Sequence, residues 1–93
     1  MAVEITRIRM SPGGTLHEHI TDYQWRNRAS GSTDQSNKPT MVDWIDNKSG
    51  VAYVSSGASE VRVGTVHPSN TQPYLRTYAD GKWNNNLLSL PRF

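Results

Sequence analysis

Residues 74–91 read YLRTYADGKWNNNLLSLP, and their order decides the fold class. Tyr74 to Ala79 is a β-type run, rich in aromatic and β-branched residues. Asp80-Gly81 is a strong hairpin-type turn signal, because a two-residue hairpin loop needs positive φ at its centre. After Asn84-Asn85-Asn86, the residues Leu87, Leu88 and Leu90 form a short apolar segment that closes a core.

The stretch before it reads the same way. Residues 51–55 (VAYVS) and 60–66 (EVRVGTV) predict two strands joined by a Ser-Gly-Ala-Ser turn, with Val61 and Val63 on one face and Arg62 opposite. His67-Pro68-Ser69-Asn70 is the turn before Tyr74. Residues 3–10 (VEITRIRM) are β-branched at Val3, Ile5, Thr6 and Ile8. With 16–25 they predict an antiparallel hairpin across Ser11-Pro12-Gly13-Gly14. Strict alternation puts Arg7 and Arg9 on one face of the first strand, opposite Ile8 and Met10. On the second strand it groups His17, His19, Thr21, Tyr23 and Trp25 against Leu16, Glu18 and Ile20.

Residues 26–38 (RNRASGSTDQSNK) are polar and nearly free of hydrophobes, which predicts a long loop. A short helix follows from Pro39-Thr40, with Thr40 as N-cap, Asp43 three residues on, and Met41, Trp44 and Ile45 as an apolar stripe. Ser49-Gly50 ends it, with Gly50 suited to the left-handed cap position. The order is β-β-α-β-β-β. Residues 1–93 thus read as a single α+β domain, a mostly antiparallel sheet with one short helix packed on it.

Composition bounds the function classes. The hydrophobic fraction is 34%, and Leu, Ile, Val and Phe together number 17 of 93. A chain of this size buries only about 64% of its unfolded surface, so a ligand, a partner or self-association is a natural source of added stability. Cysteine is absent. A small secreted domain with a thin core normally carries disulfides, so the expected compartment is the cytoplasm. No apolar run approaches the roughly 20 residues that span a bilayer. Ten basic against eight acidic side chains give a net charge of +2, short of the clustered excess of a dedicated nucleic-acid binder.

Three parts of the chain carry a resemblance: ITRIRM with the following Gly-Gly and HEHI, the MVDWID helix ending in Gly, and YLRTYADG…NNLLSLP. Together they resemble the family catalogued as domain of unknown function 3892, small proteins of bacteria and their phages. The resemblance covers nearly the whole chain and is strongest over 74–91. It implies the element order above and a cytoplasmic setting, and no activity. The long polar insert before Pro39 departs from the pattern.

The chemistry-bearing residues weigh against catalysis. His17 and His19, two apart on a strand, point the same way roughly 6.5–7 Å apart, yet no cysteine supplies a further metal ligand and Asp22 falls on the other face. No metal or other cofactor is therefore expected. The serines cluster in loops without a nucleophile elbow, and no pair of groups is arranged for acid–base work. A different constellation stands out. Arg7 and Arg9, His17 and His19, Tyr23 and Trp25 occupy adjacent strands, and Arg76 can join them. If the sets share a face, cations lie beside aromatic planes, which suits a nucleotide or another planar anion. The competing reading has Tyr23 and Trp25 in the core and the arginines as solvated charges.

The expected function is therefore a non-enzymatic binding domain that captures or senses a small anionic, nucleotide-type ligand, an anti-defence role in a phage or bacterial setting. The first alternative is a protein-interaction module such as a phage inhibitor of a host factor, with 26–38 as contact surface. The second is a weak nucleic-acid binder, which the dispersed charge makes the least favoured partner. Self-association into a homo-oligomer is compatible with all three.

Overall fold

The computed structural model describes residues 2–56, 59–79, 82–84 and 86–93. Seven strands flank one helix in the chain: β1 (Ala2–Met10), β2 (Ile20–Asn27), β3 (Thr33–Asn37), α1 (Lys38–Asn47), β4 (Val51–Ser56), β5 (Ser59–Val66), β6 (Tyr74–Ala79) and β7 (Lys82–Asn84). Single 3₁₀ turns occupy His17–His19 and Asn86–Ser89. The predicted order β-β-α-β-β-β is retained, with β3 and β7 added to it. All seven strands form one sheet, in the order β3-β2-β1-β4-β5-β6-β7. Among the described residues β1 and β4 are the one pair of strands that runs parallel, and α1 lies in the crossover that such a pair requires. Among the described residues no helix is long and apolar enough to cross a membrane.

Two bulges set the faces of the β1–β2 hairpin. The register slips between Ile5 and Arg7 and again between Arg9 and Met10. The extra residue at Thr6 lets Val3, Ile5 and Ile8 all point inward, though 5 and 8 have opposite parity. A flat alternating strand would have exposed Ile8 or buried Arg7. The bulge removes that conflict between composition and period.

The inner face carries the core: Val3, Ile5, Ile8, Ile20, Tyr23, Ala52, Val54, Val63, Leu75 and Leu87 are buried, together with Met41 and Val42 of α1. The helix touches β2 and β3 on one wing and β5 and β6 on the other. The sheet is curled around this core. Strands β2 and β6 are four positions apart, about 19 Å in a flat sheet, yet the Tyr23 phenol sits against the Leu75 backbone.

Four local expectations are corrected. Residues 16–19 are not strand: His17–His19 is a 3₁₀ turn and β2 begins at Ile20. The segment 26–38 is not a long loop, because β2 runs to Asn27 and β3 starts at Thr33. Asn27 Oδ1 accepts the Ala29 and Ser30 N–H groups to close the turn between them. The N-cap of α1 is Asn37, whose Oδ1 accepts the Thr40 N–H at 2.9 Å, with Pro39 in the first turn. The left-handed residue after α1 is Ser49 (φ 55°), not Gly50. Gly50 is needed for space: its backbone lies against the Trp44 ring, which a Cβ would overlap. The predicted Asp80-Gly81 turn and the centre of the Ser-Gly-Ala-Ser turn lie outside the described residues.

Candidate functional site

The register decides which predicted residues can act together. Ile5 pairs with Trp25 and Ile8 with Tyr23, so both aromatics share the inner face. Arg7 pairs with Gln24 and Arg9 with Asp22 on the outer face. The expected sharing of a face by Arg7, Arg9, Tyr23 and Trp25 is therefore corrected: the sheet separates the arginines from these two aromatics. Parity alone could not reveal this, since the bulges on both strands reset it.

Each predicted residue has a distinct place. Tyr23 is fully buried. Burial pushes its phenol far above the ordinary range, against a small opposing effect of the Leu75 backbone that falls short of a full hydrogen bond. Trp25 is half-buried, and its Nε1–H donates to Ser36 Oγ at 3.2 Å. It lines a cleft of about 190 Å³ with Val3, Met41 and Trp44 between α1 and the sheet. His17 is buried with Nε2 unpartnered. Burial, and then the nearby Arg76 charge, hold it below the usual imidazole range, while Glu18 opposes them. His19 Nδ1 accepts the backbone N–H groups of Thr15 and Leu16, both at 3.1 Å, and so serves the turn. The two histidines thus do not stand side by side on a strand. Arg9 lies 4.6 Å over the Phe93 ring and donates from Nε to the Phe93 oxygen. Arg7 is exposed.

A different set of aromatics shares the outer face with the arginines. Successive register pairs run Arg26–Glu4, Glu4–Tyr53, Tyr53–Arg62 and Arg62–Tyr78. Directly paired residues point to the same side, so these five form one row across five strands. Arg28, just beyond β2, reaches over the row: its guanidinium lies 4.5 Å above the Tyr53 ring and ion-pairs with Glu60. Arg62 approaches the same ring at 5.9 Å. Arg26 meets Glu4 at 3.6 Å. Arg76, opposite Gly64, occupies the outer side of β6.

Six of the seven arginines (Arg7, Arg9, Arg26, Arg28, Arg62 and Arg76) thus lie on this face, against Glu4, Asp22 and Glu60. The face carries +3, and with a net charge of +2 the remainder of the chain carries −1. Among the described residues none of its strand positions is buried. A shallow hollow of about 530 Å³ beside β5 is lined by Arg62, Gly64 and Tyr78 together with Ile45 of α1, Val63 and Thr65, which lie on the helix side, so it is not a feature of the outer face alone.

Sequence reasoning missed Arg26, Arg28, Tyr53, Arg62 and Tyr78 as site residues. The signal available was the alternation in VAYVS and EVRVG, which sets Tyr53 and Arg62 opposite the valines. That both sets face the same way as Arg7 depends on long-range pairing. The segment 26–38, expected to be the contact surface of a protein-interaction module, is largely the β2–β3 hairpin, with β3 an exposed edge strand.

The contacts of Asp46 do not have the order of a catalytic relay. Asp46 accepts from Thr65 Oγ1 at 2.7 Å and meets His67 Nε2 at 2.8 Å. The carboxylate therefore stands between hydroxyl and imidazole, whereas nucleophile activation needs the imidazole in the middle. Among the described residues no group of three or more His, Cys, Asp or Glu is placed to hold a metal.

A family model described as "Protein of unknown function (DUF3892)" matches residues 4–91. No curated protein and no solved structure matches the chain.

Proposed function

The chain belongs to the DUF3892 family, and we propose that it is a non-catalytic binding domain for a planar, anionic ligand of nucleotide type, held on the outer face of the sheet. The observation that carries this reading is the outer row in which Arg62 pairs with Tyr53 and with Tyr78, on a face with six arginines. An Arg fork engages a phosphate in two-point fashion, and a tyrosine ring offers a plane for a base. The absence of cysteine fits a reducing cytoplasm as the place of action. The residues assigned to binding are Arg62, Tyr78 and Arg76. Tyr23, His17 and His19 are assigned to the fold instead.

Thermal unfolding against mono-, di- and cyclic nucleotides tests the reading. A ligand at about 100 times its dissociation constant adds about 2.7 kcal/mol, a rise of roughly 10–20 °C for a domain of this size. The expected result is such a rise with one nucleotide class, abolished in Arg62→Ala. A flat panel, or a rise that Arg62→Ala leaves intact, refutes it.

A further inference from the structure

We propose that the outer face takes a single-stranded polynucleotide laid across the strands, along the row from Arg26 to Tyr78. This rests on the reading of that face as an anion-binding surface and names the ligand as a polymer. Four observations support it. The row Arg26–Glu4–Tyr53–Arg62–Tyr78 crosses five neighbouring strands, about 19 Å at the usual strand spacing, which is longer than a mononucleotide needs. Its cations are spread along this length rather than converging on one point: Arg26 stands at one end, Arg28 and Arg62 flank Tyr53, and Arg76 lies opposite Gly64.

The planes are spread in the same way. Tyr78 is 43% exposed, and the Arg28 guanidinium caps Tyr53, so a second flat cationic surface is turned outward. Bases stack on both kinds of plane. Finally, the face is open, with none of its described strand positions buried, so a small ligand gains little enclosure there. Repeated contacts along a strand supply what enclosure does not. Duplex nucleic acid is the poorer fit, because its bases are stacked internally and leave Tyr78 without a partner.

The charge pattern also sets the strength. Glu60 competes for Arg28, and Glu4 for Arg26. Binding is therefore of moderate affinity, driven by three or four phosphate contacts and strongly weakened by salt.

The test is fluorescence anisotropy of a labelled oligothymidylate of about 12 nucleotides, titrated with the full chain between about 50 and 200 mM salt. The expected log–log salt slope is about −2 to −3, at about −0.7 per phosphate for single strands. Arg62→Ala flattens the slope by about 0.7. Tyr78→Ala lowers affinity about tenfold with the slope unchanged. Circular dichroism of both variants checks that these exposed substitutions leave the fold intact. Thymidine monophosphate at 100-fold excess over labelled nucleotide is expected to displace little of the strand.

Equal displacement by the mononucleotide overturns the polymer assignment and leaves the anion-binding reading standing. Equal affinity for a duplex of the same length overturns the single-strand assignment. No binding of the oligonucleotide at the lowest salt overturns the polymer proposal. In that case the nucleotide melting panel decides separately whether the face binds anions at all.

Discussion

Arg28 lies 4.5 Å above the ring of Tyr53, although β2, which Arg28 directly follows, and the tyrosine's strand β4 are separated by β1. The guanidinium spans the intervening strand and ion-pairs with Glu60 on β5, tying four neighbouring strands together on the outer face. Both partners of the ion pair are partly exposed, so its own contribution is small, about 0–1 kcal/mol. The cation–π contact adds about 0.5–1 kcal/mol. Arg28→Ala is expected to lower stability in urea by roughly 1 kcal/mol, and Glu60→Gln by less. Glu60→Gln has a second effect, since it frees a guanidinium: affinity for an anionic ligand rises. An unchanged affinity would show that Arg28 takes no part in binding.

Ser49 and Gly50 exchange the roles that sequence rules assign them. Ser49 holds the left-handed conformation and Gly50 lies flat against Trp44. A non-glycine residue at positive φ costs about 1–2 kcal/mol, partly offset in glycine by its greater unfolded-state entropy. Ser49→Gly is expected to raise stability by roughly 0.5–1 kcal/mol, or about 2–8 °C in Tm. Gly50→Ala forces Trp44 off its seat and costs about 1–3 kcal/mol. Melting curves of the two variants decide the matter: opposite signs are expected, and the reverse pattern would mean that Gly50 carries the cap.

His17 makes stability depend on acid. Its folded pKa lies below the usual imidazole value through burial first and the Arg76 charge second, so the unfolded chain takes up its proton more readily. The stabilising preference for neutral His17 is complete above the unfolded pKa of about 6.5. It is lost progressively as pH falls below that value toward the folded pKa. Tm is therefore expected to drop between about pH 7.5 and 5.5, and His17→Leu to show a smaller drop. An undiminished drop in the variant would assign the effect to other groups.

Tyr23 separates the worth of a ring from that of a hydroxyl. The ring is fully buried, and truncating it in Tyr23→Ala is expected to cost about 3–5 kcal/mol. The hydroxyl lacks a full partner, so Tyr23→Phe is expected to change stability by less than about 0.5 kcal/mol at neutral pH. Its folded pKa is raised by burial, so its stabilising effect is present below the unfolded pKa of about 10 and lost above it. Tyr23→Phe is thus expected to resist alkaline unfolding better than the parent. A loss of 1 kcal/mol or more at neutral pH would show that the Leu75 amide satisfies the hydroxyl after all.

Element types and their order were legible in the chain. The runs around Ile5, Val54, Val63 and Leu75 pair β-branched or apolar residues with an alternating face, and Met41 and Ile45 follow helical spacing. These are local signals, set by the two periods that any L-peptide offers. The leucines after the asparagine triplet were rightly read as closing the core, with Leu87 fully buried. Strand β3 was not legible, because TDQSN has neither hydrophobes nor strong β-formers. It is a strand only because the edge of β2 offers it a hydrogen-bonding partner.

The sequence by itself determined the elements, the family and the cysteine-free, mildly basic character of the chain. Only the tertiary structure decided which side chains act together. The bulge at Thr6 shifts Arg7 away from Tyr23 and Trp25, and pairing between distant strands gathers six scattered arginines with Tyr53 and Tyr78 on one face. The reason is physical. Periodicity acts over a few residues, whereas the sharing of a face is set by register between strands up to dozens of residues apart, and one bulged residue inverts it.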